Sequence, residues 1–283
     1  MPSRLHNVHH ASRITHHVSR ITFYASLLIA LVACAESPRV TPTPATITLA
    51  ASSTLSALID DLADEYQAER PWITIRMESL DSEAALDLLG SGAVDLAFAS
   101  WLPPDLDPGA WNSPLAYDAV AVIVHPANPV TGLSLAQLRD IFQGHVLDWS
   151  LYGWTTENVI VVSREDGSGT RAAFEAFVME DKPVTPGAIV QPDGDAVVDY
   201  VARTPGAIGY VSRGRVTPAV RPIAIEGVEP DPSNAVNNSY PIGRLLYVVA
   251  RNEPIGAVRD FVAWLFNPEG QQAIAEGGFG RVK

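Results

Sequence analysis

The sequence predicts an α/β protein. Short apolar runs of strand length alternate with amphipathic segments of helix length from residue 47 to the C-terminus, the pattern of sheets flanked by helices. No period of about 20 to 50 residues recurs, which excludes a repeat architecture. Apolar residues make up 47% and charged residues 18% of 283 residues, enough for one large or two moderate cores and too apolar for a disordered chain.

The elements follow in order. ITLA (47–50) reads as a strand, and Ser52, Ser53 and Thr54 offer hydroxyl N-caps to a helix with Leu55, Leu58, Ile59, Leu62, Ala63 and Tyr66 on one face. Pro71 ends that helix before the strand WITIRM (72–77). Ser82 precedes a short helix over 84–89, and VDLAF (94–98) is the next strand. YDAVAVIVHP (117–126) is a long apolar strand closed by Pro126. Ser134 caps the helix LAQLRDIF, NVIVVS (158–163) is a buried strand, and Thr170 opens a helix with Ala173, Phe174, Phe177 and Val178 on one face. DAVVDYVA (195–202) is helical and turns through Thr204-Pro205-Gly206 into the strand AIGYV (207–211). LLYVVA (245–250) is a strong strand. Two helices finish the chain, one over 255–266 and a last one with Asn267 as N-cap and Pro268 at its first position.

The N-terminal end reads as a targeting signal. Residues 21–33, ITFYASLLIALVA, are uncharged and apolar, and Arg4, Arg13 and Arg20 precede them with no acid before Glu36. The single cysteine, Cys34, follows at once in Leu31-Val32-Ala33-Cys34. This resembles the bacterial lipobox, whose cysteine is lipidated and becomes the mature N-terminus. Residues 1–33 are then a lipoprotein signal peptide, and the Pro/Thr-rich stretch 34–46 is a tether. Five of seven histidines fall in the near-duplicated HHASRIT-HHVSRIT region, which reads as low complexity rather than a metal site. The net charge is −13, and cleavage before Cys34 would leave 16 bases against 32 acids, or −16. That excess excludes a sequence-independent hold on nucleic acid or anionic lipid. One cysteine excludes a disulfide framework and CxxC-type zinc sites.

The stretch that carries chemistry is VIVVSREDGSGTRAAFEAFV (159–178). A strand delivers Arg164, a turn presents Asp166-Gly167-Ser168-Gly169-Thr170, and a helix starts there. Free N–H groups at a helix start, hydroxyl donors and a guanidinium fork suit a tetrahedral oxyanion. A structural alternative is open at this point: Ser168 and Thr170 cap the helix, and Arg164 pairs with Glu165 or Asp166. Ser53-Thr54 and Ser82 stand at two more strand-to-helix junctions. Enzyme signatures are absent, since G-x-S-x-G fails at Asp166 and neither a P-loop, H-E-x-x-H nor G-x-G-x-x-G occurs. Trp101, Trp111, Trp149 and Trp154 are candidates to line a pocket, although single aromatics are more often core.

Together these elements resemble the phosphate-binding proteins of bacterial high-affinity phosphate ABC transporters, of the type II periplasmic-binding-protein class. The likeness rests on AASSTLSALIDDLADEY (50–66), the stretch from Ser82 to Ser100, YDAVAVIVHPANPVTGLSLAQLRDIFQG (117–144), REDGSGTRAAFE (164–175), PGAIGYVSRG (205–214), YPIGRLLYVV (240–249) and NPEGQQAIAEGGFGRV (267–282). It implies a two-lobe fold, each lobe a sheet flanked by helices, joined by two crossing strands. Lobe 1 would be 47–122 plus 244–283 and lobe 2 would be 123–243. It implies ligand contacts at Thr54, Leu55, Ser82, Arg164, Ser168, Gly169 and Thr170, and places Ser100-Trp101 where relatives carry Asp, or Ser followed by Arg. The Gly-rich turn of the family reads Asp81-Ser82-Glu83-Ala84-Ala85 here. Glu83 and Asp166, each beside an expected contact, are the candidate carboxylates for reading a ligand proton.

The function that follows is capture of inorganic phosphate, or a similar tetrahedral oxyanion, by an extracytoplasmic, lipid-anchored monomer that delivers it to an ABC permease. No chemical step, cofactor or metal is expected. Two alternatives are a phosphate-ester hydrolase using Ser168 and a non-transport oxyanion sensor or surface module.

Overall fold

The computed structural model describes residues 43–154 and 158–282; the expected signal peptide, Cys34 and most of the tether lie outside them. The first strand, Ala45–Ser52 (β1), begins two residues before the expected start at Ile47. It pairs in parallel with Ile73–Leu80 (β2) on one side and Leu96–Ala99 (β3) on the other. Parallel neighbours need crossovers, and Ser56–Ala68 (α1) and Ser82–Ser91 (α2) supply them.

A matching parallel set lies at the far end of the sheet. Ile160–Arg164 (β5) pairs in parallel with Ile189–Gln191 (β6) and with Ala207–Ser212 (β7). Between the two sets run Trp111–Val124 (β4) and Gly243–Ala250 (β8), antiparallel to each other and to their outer neighbours. The order is β2-β1-β3-β8-β4-β7-β5-β6. The long pair therefore connects two parallel α/β halves, which is the two-lobe architecture expected from the sequence.

Packing divides at the same strands. Ala116 belongs to a core with Leu49, Leu62, Phe98 and Phe261. Ala119, three residues on, belongs to another with Ile141, Phe142, Trp149 and Phe174. The remaining helices cover these faces: Leu135–Phe142 (α3), Gly169–Phe174 (α4), Gly194–Arg203 (α5), Pro232–Val236 (α6), Gly256–Leu265 (α7) and Pro268–Glu276 (α8). Ser134 and Gln137 form a reciprocal capping box on α3. Asn267 caps α8 through the Gly270 N–H at 2.8 Å. Trp149 is core rather than pocket, fully buried with its indole N–H donating to the Gly206 carbonyl at 2.9 Å.

One packing feature bears directly on the site. Phe174, in α4, stacks on Tyr210 of β7 with ring centroids 4.0 Å apart and planes within 5°. The Tyr210 hydroxyl shares a hydrogen bond with Ser163 at 2.8 Å, and burial pushes its phenol up to about 12. This anchors α4 to the sheet. After Phe174 the helix widens into a π-turn, Glu175–Met179, so α4 is shorter than the sequence predicts.

Candidate functional site

The polar groups collect at the carboxyl ends of the parallel strands, where open α/β sheets leave a crevice. At the end of β1, Thr54 was expected to cap the first helix. It does not: α1 begins at Ser56 behind Leu55, without a side-chain cap. The Thr54 hydroxyl instead stands 3.0 Å from that of Thr170, at the start of α4. Leu55 is fully buried and packs into the first core.

Ser82 departs from the capping reading too. Asp81 takes that role on α2, accepting from the Ala84 N–H at 2.8 Å. This leaves Ser82 Oγ to accept from the Ser100 N–H at 3.1 Å and to lie 3.0 Å from Ser100 Oγ. Gly169 closes on this pair from the other half of the sheet. A Cβ there would sit 2.4 Å from Ser100 Oγ and 2.5 Å from Ser82 Oγ, so only glycine permits the approach. The Glu83 N–H reaches the Gly167 carbonyl at 3.3 Å across the same junction.

Two residues follow their structural alternatives in part. Ser168 is a true N-cap, its Oγ accepting from the Arg171 N–H at 3.3 Å. Arg164 pairs with Glu165, donating from Nη2 at 2.7 Å and from Nε at 3.1 Å. Its Nη2 also reaches the Pro192 carbonyl at 3.2 Å and Ser53 Oγ at 3.4 Å. Nη1 makes no hydrogen bond among the described residues. Thr54, Ser82, Ser100, Arg164, Ser168 and Thr170 are all buried. The eight residues singled out in the sequence thus form one enclosed cluster, reached from both halves of the sheet.

These features are shared with known proteins. Residues 36–269 match the family model for the PBP superfamily domain. The chain belongs to that superfamily. A phosphate-binding protein PstS of Bacillus subtilis is 27% identical over 234 residues, covering 81% of this chain and 77% of its own. One from Pseudomonas aeruginosa is 29% identical over 259 residues, covering 81% of this chain and 80% of its own. Among solved structures, a putative phosphate ABC transporter substrate-binding protein with bound phosphate from Clostridium perfringens superposes with a TM-score of 0.81. It is 28% identical, and the match covers 84% of this chain and 100% of that one.

This PBP domain differs from the sequence reading in where its carboxylates lie. Asp166 is 95% exposed in its side chain and pairs with Arg171 at 2.6 Å. Glu83 is exposed as well. Both stand at the mouth, on a cavity of about 410 Å³ lined with Trp101, Gly167 and Gly169, and neither is enclosed with the hydroxyls. Among the described residues the deeply buried carboxylate is Asp118 on β4, which the sequence analysis did not single out. It pairs with Arg244 on β8, the residue opposite it in the ladder, at 2.7 and 2.9 Å. Burial pulls the Arg244 guanidinium below the ordinary arginine value, with Asp118 opposing. A charge interrupting each of two apolar strand runs, YDAVAVIV and GRLLYVVA, is the signal that finds this pair in the sequence.

Proposed function

We infer that the protein is the solute-binding component of an ABC-type phosphate importer, holding inorganic phosphate or a similar tetrahedral oxyanion between its two halves. The observation that carries this reading is the buried donor cluster itself. Hydroxyls of Thr54, Ser82, Ser100, Ser168 and Thr170 gather with Arg164, whose Nη1 makes no hydrogen bond among the described residues, and Gly169 lets the two halves approach. Such a set offers many directed donors to one anion, which is how a small oxyanion is bound without water. The names of the relatives and the bound phosphate of the Clostridium perfringens structure favour the same ligand.

Calorimetric titration with phosphate, sulfate, molybdate and tungstate tests the reading. Phosphate should bind best, and no heat with any of the four would defeat it. Delivery to a permease, export and anchoring through a lipidated Cys34 belong to the same proposal. No helix among the described residues is long and apolar enough to cross a membrane, so attachment would rest on the N-terminal segment.

Hydrolysis by Ser168 is less well supported. Its Oγ accepts a backbone N–H rather than facing a base. Of the two histidines of the folded part, His125 accepts from the Ala127 N–H, and His145 is exposed beside Asp140. A phosphomonoesterase assay on the purified protein should give no turnover.

A further inference from the structure

We propose that Arg244 is a positioning residue for anion capture, a link between closure of the cleft and the donor direction of the Thr170 hydroxyl. The inference deepens the binding reading above and rests on it.

A guanidinium carries five N–H donors, and Arg244 uses all of them. Nε and one proton of Nη2 go to Asp118 Oδ2 at 2.9 and 2.7 Å. The other Nη2 proton goes to Thr170 Oγ1 at 3.1 Å. Nη1 donates to the Ser100 carbonyl at 3.2 Å and to the Gly169 carbonyl at 3.0 Å. Asp118 is satisfied in turn, its Oδ1 accepting from Ser212 Oγ at 2.9 Å and from the Arg213 N–H at 3.1 Å. The side chains of Arg244 and Asp118 are 1% and 0% exposed.

Two consequences follow. Ser100 leaves β3 in one parallel half, whereas Gly169 and Thr170 begin α4 in the other. One nitrogen therefore bridges both halves, and it does so only while they are in contact. Opening the cleft breaks at least one of these bonds, so Arg244 favours the closed arrangement. The second consequence is chemical. A threonine hydroxyl has one proton, and with Arg244 donating to its oxygen that proton points away, toward Thr54 or an arriving oxyanion. Asp118, Arg244 and Thr170 thus form a chain that presents Thr170 as a donor.

The test compares wild type with Arg244→Lys and with the double variant Asp118→Asn/Arg244→Met, which removes the pair without leaving a buried lone charge. Each is combined with Thr170→Ala and titrated with inorganic phosphate, and radii of gyration are measured by small-angle scattering with and without phosphate. Affinity should fall about tenfold or more in both Arg244 variants, since Thr170 would no longer be held as a donor to the charged oxyanion. Thr170→Ala should cost clearly less in those backgrounds than in wild type, a coupling that a merely structural role would not produce. The phosphate-free variants should also be more expanded than phosphate-free wild type. Equal cost of Thr170→Ala in every background, or wild-type affinity in both variants, overturns the proposal. If wild type itself binds no oxyanion, the function reading fails instead. The phosphate-free radii then decide the link to closure, and unchanged radii overturn it.

Discussion

Replacing Arg164 by alanine should weaken phosphate binding by roughly a hundredfold. The residue is buried, and its Nε and Nη2 are engaged by Glu165, Ser53 and Pro192 while Nη1 makes no hydrogen bond among the described residues. An oxyanion beside Thr54 would take Nη1 and compete for Nη2, whose 3.4 Å contact to Ser53 is the weakest it makes. Hydrogen bonds to charged groups contribute about 1.5–3 kcal/mol each, so one full and one shared bond come to about 3 kcal/mol. At about 1.4 kcal/mol per decade this is roughly a hundredfold. The loss of Glu165's partner should cost the fold little, because that carboxylate is 27% exposed and can turn to water. Arg164→Lys keeps the charge without the fork and should fall between. Calorimetry with inorganic phosphate on wild type and both variants reads the effect. A dissociation constant for Arg164→Ala within about threefold of wild type would refute the reasoning, because that ratio corresponds to less than a single charge-assisted bond.

Gly169→Ala should abolish tight binding with little change in melting temperature, because the new methyl would strike the Ser82 and Ser100 hydroxyls only when the cleft is closed; thermal melts beside phosphate titrations separate the two effects. Ser100→Asp should widen the preference for phosphate over sulfate by roughly tenfold or more, since a buried carboxylate accepts from a protonated oxyanion and is left unpaired by sulfate. Competition titrations read that ratio, and no change would assign proton reading elsewhere. Cys34→Ser should block lipid attachment and cleavage at this position, and metabolic labelling with a fatty acid, followed by membrane fractionation, checks it.

The sequence made the alternation of strands and helices legible because each run carries its own periodicity. It also made the caps at Ser134 and Asn267 legible, since their partners lie three residues away. Contacts across the chain left weaker traces. The first part of β4, WNSPLA, contains a proline and alternates in burial; it becomes strand by pairing along β8, through a register shift at Leu246/Tyr247. The hydroxyl assignments at Ser82 and Thr54 were ambiguous for a related reason. Asp81 and Ser82 are both good capping residues, and composition cannot say which one the turn selects. At Thr54 the chain makes a tight turn that places Leu55 ahead of the helix and turns the hydroxyl toward α4. All eight candidate residues lie in one cluster nonetheless, because junctions at the carboxyl ends of parallel strands converge by topology. Arg244 and Asp118, 126 residues apart in sequence, share no local pattern beyond a charge in an apolar strand.

The proposed role sets an acidic chain the electrostatic problem of holding an anion, and the arrangement of its arginines bears on it. Each arginine near the cluster keeps a carboxylate of its own: Arg164 has Glu165, Arg171 has Asp166 and Glu175, and Arg244 has Asp118. These three arginines face four carboxylates, so they give the cleft no net positive charge, and for the proposed ligand the grip would come from directed N–H and O–H donors. Long-range attraction would in any case count for little, because fields from exposed charges decay over about 8 Å at physiological ionic strength. Neutralisation also explains why Arg244 can be buried at the strand crossing. A lone guanidinium there would face a desolvation cost of several kcal/mol. Opposite Asp118 it is compensated, and what remains outward is a set of N–H groups aimed at Ser100, Gly169 and Thr170. A cleft of this kind selects by the number and direction of its donors. Ions of equal charge but different protonation or geometry are therefore distinguished by which donors they leave unpaired.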